Sequence, residues 1–197
     1  MTDIGKKNST RETEKLSRVP VFVSAPSKRN MSTEQENIRT GIISILNQFE
    51  LEPRALGRSD YPDGLPLREV LVIGRHCAGG IILGFETMRV CKGLRRSTGA
   101  AFDDPVMIPT PWNHLEAGIL YGLGLPLLVF RETVKDVKGR NMNWVKGGIF
   151  DEGVSDVFVR DMPTEEETGV VHPELKHVFL KWHARVAARY YGTCAPL

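Results

Sequence analysis

Apolar residues occur along this chain in short runs that alternate with longer amphipathic stretches. The first run, residues 19–23, is rich in β-branched side chains and ends at a turn-forming Ser-Ala-Pro, which is typical of a buried strand. The stretch that follows has apolar residues at the spacing of one helical face. Ser32 or Thr33 can cap that helix, with Gln35 or Glu36 as the capping-box partner. The predicted apolar face comprises Ile38, Ile42, Ile45, Leu46 and Phe49.

The same alternation continues through the middle of the chain. Residues 52–56 form a weaker strand candidate, and the run at residues 81–85 predicts a third buried strand. Between them, Pro66 suits the first position of a second helix. The expected apolar face of that helix comprises Leu67, Val70, Leu71 and Gly74.

Residues 86–109 form the least regular stretch of the chain. A connection of this length inside a compact domain is usually a functional loop or a disordered one. Its basic side chains suit contact with phosphate groups, but they also fit a solvated charged surface. These basic residues are Arg89, Lys92, Arg95 and Arg96.

A third helix and two further strands follow. Thr110 can cap the helix, Pro111 fits its first position, and Gly124 suits the residue just past its end. Residues 125–130 predict the fourth strand and residues 156–159 a short fifth one. A final helix starts near residues 172–173, with an apolar face of Leu175, Val178, Phe179, Trp182, Val186 and Tyr190.

Strands that alternate with helices in this way indicate an α/β fold with a parallel sheet covered on both faces. We expect five strands in the order 2-1-3-4-5, with a ligand crevice at the carboxyl ends of strands one and three. Residues 1–18 are polar and lack periodicity, so we expect a disordered lead-in there. The remainder, residues 19–197, is expected to form a single domain.

Composition narrows the possible functions. The 26 basic and 24 acidic residues give a net charge of +2, which is too even a balance to indicate nucleic-acid binding. No apolar run approaches the roughly 20 residues that cross a bilayer, so no membrane association is expected. The 3 cysteines and 5 histidines show no metal-ligand spacing. A protein of the reducing cytoplasm without a metal site is therefore expected.

Glu116 is the strongest candidate for chemistry. It is the only acid between residues 112 and 124, and a carboxylate in an apolar helix is costly to bury unless it is paired or used. Trp112 and Asn113 precede it by four and three residues, so all three share a helical face that leans toward the crevice. The alternatives are that Glu116 pairs with Arg131 or Arg58 and that Trp112 is a core residue.

Sequence order places further candidates at the same crevice. Ser24, Ala25 and Pro26 leave the first strand, while Gly84 and Phe85 close the third. A carboxylate beside an aromatic ring and an amide suits cleavage of an N-glycosidic bond, because the ribosyl carbon becomes positively charged in the transition state. A base that is already cationic, such as the nicotinamide of NAD, needs no general acid. The candidates that leave the second strand are Gly57, Arg58 and Ser59.

The pattern Trp112-x-x-x-Glu116, followed by an apolar helix and strand, resembles the Toll/interleukin-1 receptor (TIR) superfamily. Residues 21–24 resemble its first strand, and residues 67–85 resemble its second helix and third strand. The resemblance implies cleavage of NAD as a substrate, without a cofactor, by a bacterial effector of antiviral defence. It also implies a homo-oligomer or a separate sensor protein. On this hypothesis Trp112 and Phe85 bound the base, while Ser24, Gly57 and Arg58 face ribose and phosphate.

The nucleoside 2-deoxyribosyltransferase-like family shares this flavodoxin-like, three-layer architecture. The segment from Glu116-Ala117-Gly118 to Gly124-Leu125-Pro126 resembles the part of that family that carries its nucleophilic glutamate. Both resemblances imply that Glu116 acts on a ribosyl carbon, with a nucleoside or nucleotide as the alternative substrate. A third hypothesis is a non-catalytic nucleotide-binding or scaffold module in which Glu116 is structural.

Overall fold

Five parallel strands form the central sheet of the protein. The structure, a computed structural model, describes residues 18–57, 65–102, 105–135, 141–151 and 157–194. The sheet strands are β1 (Val19–Ser24), β2 (Leu51–Arg54), β3 (Gly79–Gly84), β4 (Leu127–Arg131) and β5 (Phe158–Asp161). They lie in the order β2-β1-β3-β4-β5, and all neighbours are parallel. The predicted strand order, and with it the flavodoxin-like α/β class, is confirmed.

Helices cover both faces of this sheet. They are α1 (Thr33–Gln48), α2 (Pro66–Arg75), α3 (Pro111–Gly122), α4 (Glu165–Gly169) and α5 (Pro173–Cys194). Side chains alternate between the two faces of a strand. Val21 and Leu83 therefore belong to the core under α1 and α5, whereas Phe22 and Ile82 belong to the core under α2 and α3. This alternation decides which strand residues can reach α3.

Local signals at the helix ends are confirmed. The Ser32 side chain accepts a hydrogen bond from the backbone N–H of Gln35, whose side chain accepts one from the Ser32 N–H. Thr110 caps α3 and Pro111 occupies its first position. Gly124 has a φ of 68°, the left-handed conformation that glycine adopts most readily past a helix end.

The structure corrects the prediction for residues 86–109. The described part of this stretch forms a hairpin, in which Met88–Val90 pairs with Val106–Ile108 and Gly93–Leu94 pairs with Ala101–Phe102. Strands of two or three residues are too short to show a clear alternation of apolar and polar positions, so the sequence pattern does not reveal them. A second hairpin pairs Thr133–Lys135 with Asn141–Trp144.

Smaller differences concern individual positions. The predicted face of α2 included Leu67, but this residue is 48% exposed. Val70 and Gly74 are buried as predicted, and Ile73 joins them on the buried face. The strands begin or end one to two residues away from the predicted bounds, and α4 was not predicted. Short 3-10 helices occupy Lys28–Asn30 and Gly148–Phe150. None of the described helices is long and apolar enough to cross a membrane.

Candidate functional site

A cavity of about 700 Å³ lies at the carboxyl edge of the sheet. This volume falls within the range of ligand pockets, roughly 300–1,000 Å³. The loops that leave β1 and β2 form part of its wall, and the first turns of α2 and α3 form the rest. The position is the one expected for a ligand site in an open α/β sheet. The lining residues are Ala25, Pro26, Ser27, Lys28, Asn30, Leu56, Gly57, Pro66, Thr110, Trp112 and Glu116.

Glu116 lies in the second turn of α3 and lines this cavity, although the residue is only 8% exposed. Burial raises the pKa of its carboxyl group from the ordinary 4.5 to about 7, against the opposing effect of a hydrogen bond with the Ser24 side chain. Loss of hydration disfavours the charged form, which explains the direction of the shift. Near neutral pH this carboxyl group therefore occurs in both protonation states.

The predicted alternative of an ion pair with Arg131 is wrong. Arg131 binds the Asp161 carboxylate at 3.3 Å and donates to the Phe150 carbonyl at 3.2 Å. No Lys, Arg or His within the described ranges lies within ion-pair distance of Glu116. The other predicted partner, Arg58, lies outside the described residues.

Ser24 and Asn113 lie behind Glu116 rather than on the cavity wall. Ser24 is 1% exposed and Asn113 is fully buried. The Asn113 side-chain amide donates to the Ser24 hydroxyl oxygen at 2.8 Å and to the Leu83 carbonyl at 3.4 Å. These contacts connect the last residue of β1, the end of β3 and the first turn of α3.

Trp112 borders the cavity on the same side as Glu116, as the helical spacing predicted. The residue is 40% exposed, so it is not a core residue. The backbone N–H of Trp112 donates to the Thr110 hydroxyl, which fixes the start of the helix. An exposed indole beside a buried carboxyl group is suited to contact a planar ring.

The structure brings only some of the other predicted residues to the cavity. Ala25, Pro26 and Gly57 line it, and Gly57 has a φ of 71° with open space where a Cβ atom would be. Gly84 packs against the ring of Phe150, so no ligand can approach it there. Phe85 is fully buried in the core under α1 and α5, on the opposite face of the sheet from α3. Arg58 and Ser59 lie outside the described residues.

Sequence reasoning missed Lys28, the other charged residue of the cavity besides Glu116 among those the structure describes. Lys28 follows β1 by four residues, and the exit from a sheet strand was the signal that could have found it. An ammonium group at this position can attract an anionic ligand. Ser27, Asn30, Leu56, Pro66 and Thr110 were also missed as lining residues.

Glu132 is a second carboxylate at the same edge of the sheet, directly after β4. Its Oε2 atom accepts hydrogen bonds from the backbone N–H of Glu86 at 2.6 Å and from Nε2 of Gln35 at 2.8 Å. Burial raises the pKa of this carboxyl group, partly offset by these two hydrogen bonds. Glu132 does not line the cavity that Glu116 borders.

Within the described residues, no three His, Cys, Asp or Glu side chains gather at a spacing that could hold a metal ion.

When the chain is compared with known protein families and with curated proteins, neither comparison finds a match.

Proposed function

We propose that this protein cleaves the N-glycosidic bond between nicotinamide and ribose in NAD, with Glu116 as the catalytic residue. One observation carries the proposal: a buried carboxyl group without a described cationic partner borders a cavity of about 700 Å³ that also exposes an indole ring. A structural carboxylate would be expected to have a cation or several donors around it.

The chemistry requires one carboxylate. As the bond from the ribosyl carbon to nicotinamide breaks, its electron pair moves to the ring nitrogen and neutralises the positive charge of the base. The ribosyl carbon becomes positively charged, and ionised Glu116 stabilises that charge or traps it as an ester. Water supplies the new hydroxyl group and releases a proton, so the products are nicotinamide and ADP-ribose.

The surroundings of Glu116 support this role. A carboxylate attracts a developing positive charge more strongly in a poorly hydrated site than in water. A pKa of about 7 leaves a substantial ionised fraction at neutral pH. Trp112 and Lys28 both line the cavity; in the proposed complex the indole stacks on the base and the ammonium group contacts the diphosphate.

The spacing Trp112-x-x-x-Glu116 resembles that of NAD-cleaving TIR proteins, and the observed strand order is compatible with that resemblance. On the same resemblance we propose a role in bacterial antiviral defence in the cytoplasm. Activation would then depend on self-association or on a separate sensor protein.

A nucleotide panel tests the proposal. Wild-type protein and Glu116→Gln are each incubated at high concentration with NAD, nicotinamide mononucleotide, and purine and pyrimidine nucleosides and nucleotides. Mass spectrometry then follows the release of each base. We expect nicotinamide from NAD with the wild type and at least about 100-fold less with the variant. Equal release by both proteins, or no base released from any compound, would overturn the proposal.

A second candidate function has one observation in its favour. Because the pKa of Glu116 is raised to about 7, the protonated carboxyl group is also present at neutral pH. It can donate its proton to a neutral leaving base, which cleavage of an ordinary nucleoside requires. Release of a purine or pyrimidine while NAD stays intact would favour this nucleosidase or deoxyribosyltransferase-like activity.

A further inference from the structure

We propose that a second cavity, at the amino edge of the sheet, binds a nucleotide, with Arg185 and Arg189 on its phosphate groups and Tyr121 against its base. This cavity has a volume of about 530 Å³, which is within the range of ligand pockets. It lies between the end of α3, the segment that leads into β4, and the middle of α5. The lining residues are Tyr121, Gly124, Leu125, Pro126, Arg185 and Arg189.

This cavity is separate from the one that Glu116 borders. The two cavities share no lining residue. They also lie at opposite edges of the sheet, because Leu125 and Pro126 come directly before β4, whereas the Glu116 cavity lies past the carboxyl ends of the strands. Along α3, about 14 Å separates Trp112 from Tyr121. A ligand bound at the amino edge is therefore independent of the proposed catalytic activity.

Positive charge dominates the second cavity. Arg185 and Arg189 are its charged residues among those that the structure describes, and no described carboxylate lines it. The whole chain, by contrast, has 24 acidic residues against 26 basic ones. The two arginines are four residues apart on α5, so they share a helical face with their Cβ atoms about 5–6 Å apart. That spacing allows both guanidinium groups to contact one phosphate group or two linked ones.

The two guanidinium groups are held in different ways. Arg189 donates to the carbonyls of Leu123 and Gly124, both at 3.0 Å, a contact that stabilises the end of α3 without any ligand. The guanidinium carbon of Arg185 lies 4.4 Å from the centre of the Phe158 ring. Within the described ranges, the Arg185 side chain has no hydrogen bond and no carboxylate at ion-pair distance. A ring contact leaves its N–H groups available to an anion, so Arg185 provides the main contact with phosphate.

Tyr121 makes a nucleotide a better fit than a bare phosphate ion. This residue is 51% exposed although its ring is largely apolar, and it stands on the wall of the cavity. An exposed aromatic ring provides a surface on which a base can stack. Leu125 and Pro126 add apolar surface beside it. A phosphate group attached to a planar base matches both the cationic and the apolar parts of the wall.

NMR of the arginine side chains tests this site directly. Protein labelled with ¹⁵N is titrated with ADP, pyrophosphate and adenosine, and Arg185→Gln and Arg189→Lys identify the two Nε–H resonances. We expect ADP to shift both resonances with a Kd below about 1 mM. Pyrophosphate should bind more weakly because it lacks the base, and adenosine should bind at least about tenfold more weakly than ADP because it lacks the phosphate groups. An Arg185 resonance that ADP does not shift would overturn the proposal.

Three variants decide whether the shifts come from this cavity. Arg185→Gln should weaken ADP binding, followed at the Arg189 resonance, at least about tenfold. Tyr121→Ala should remove the preference for ADP over pyrophosphate. Both residues are exposed, so each variant should keep its melting temperature within a few degrees. Lys28→Gln, in the cavity that Glu116 borders, should leave the Kd unchanged. ADP binding that Arg185→Gln does not weaken, or that Lys28→Gln abolishes, would contradict the assignment.

Discussion

Two carboxylates stand at the carboxyl edge of the sheet, and their surroundings differ. Glu132 gives one oxygen to two donors, the Glu86 backbone and the Gln35 side chain, and lies away from the cavity. Glu116 borders the cavity, and the Ser24 side chain lowers the pKa of its carboxyl group only in part. Burial raises the pKa of both carboxyl groups.

The comparison shows that a shifted pKa alone does not identify a reactive group. Glu132 joins the start of α1 to the segment after β3, and its donors leave it little freedom to react. Glu116 has access to a ligand and few donors, which are the properties that a carboxylate needs to stabilise a cation. Variants of Glu132 can therefore serve as controls for variants of Glu116, because only Glu116 borders the cavity.

The largest expected effect is on catalytic activity, which should depend on Glu116 and not on Glu132. Glu116→Gln should lower the rate of nicotinamide release at least about 100-fold, because the amide carries no charge to stabilise the ribosyl cation. Glu132→Gln keeps an oxygen that can accept both hydrogen bonds and should stay within about threefold of the wild type. Steady-state kinetics at pH 8 measures both. Equal losses of activity in the two variants would show that Glu116 and Glu132 do not differ in catalytic role.

The next largest effect is a change with pH in the free energy of unfolding, caused by the titration of Glu116. The folded-state pKa of Glu116 is raised from 4.5 to about 7, so the contribution of this group to stability is largest below pH 4.5 and is lost as the pH rises from 4.5 through 7. The difference corresponds to about 3 kcal/mol. Glu116→Gln does not titrate there, so its stability relative to the wild type should increase over this interval. Urea unfolding at pH 5 and pH 8 measures the change, and a constant difference would contradict it.

Removal of the Glu132 carboxyl group should cost stability instead of activity. Glu132→Ala leaves the Glu86 N–H and one Gln35 N–H without their acceptor, which we expect to lower the free energy of unfolding by about 1–2 kcal/mol. Glu132→Gln should lower it by less. Urea unfolding at pH 7 checks the order of the two variants. A destabilisation that is equal in both would show that charge, and not hydrogen bonding, is what Glu132 contributes.

The smallest effect concerns the rim of the cavity. Trp112→Ala should reduce kcat/KM for NAD by about tenfold through lost stacking on the base. Because Trp112 is 40% exposed, the variant should keep its melting temperature within a few degrees. Leu115→Ala is the matched control, since Leu115 is 49% exposed on the same helix but does not line the cavity. A similar loss in both variants would remove Trp112 from the binding site.

Local signals in the sequence predicted much of the fold. The capping box at Ser32, the Thr110-Pro111 helix start and Gly124 at the helix end each depend on residues that are close along the chain. The strand order followed from general rules for parallel sheets. Glu116 and Trp112 were predicted at the cavity because helical spacing and topology together place them there.

Contacts between distant parts of the chain were beyond such reasoning. Gln35 and Glu132 are 97 positions apart, and no local pattern reveals their hydrogen bond. Phe85 was placed at the base-binding side because it follows β3, but alternation puts it on the α1 and α5 face with Ile81 and Leu83. The sequence does not show which face of a strand α3 covers, so Ser24 and Phe85 could not be assigned to opposite sides.

The pH dependence of nicotinamide release tests most directly the claim that ionised Glu116 stabilises the ribosyl cation. With saturating NAD, the account predicts a kcat that rises with pH and reaches half its maximum near the Glu116 pKa of about 7. Glu116→Gln should show no such rise in its residual rate. A wild-type kcat that falls as the pH increases through 7 would contradict the account, because the protonated carboxyl group would then be the active form.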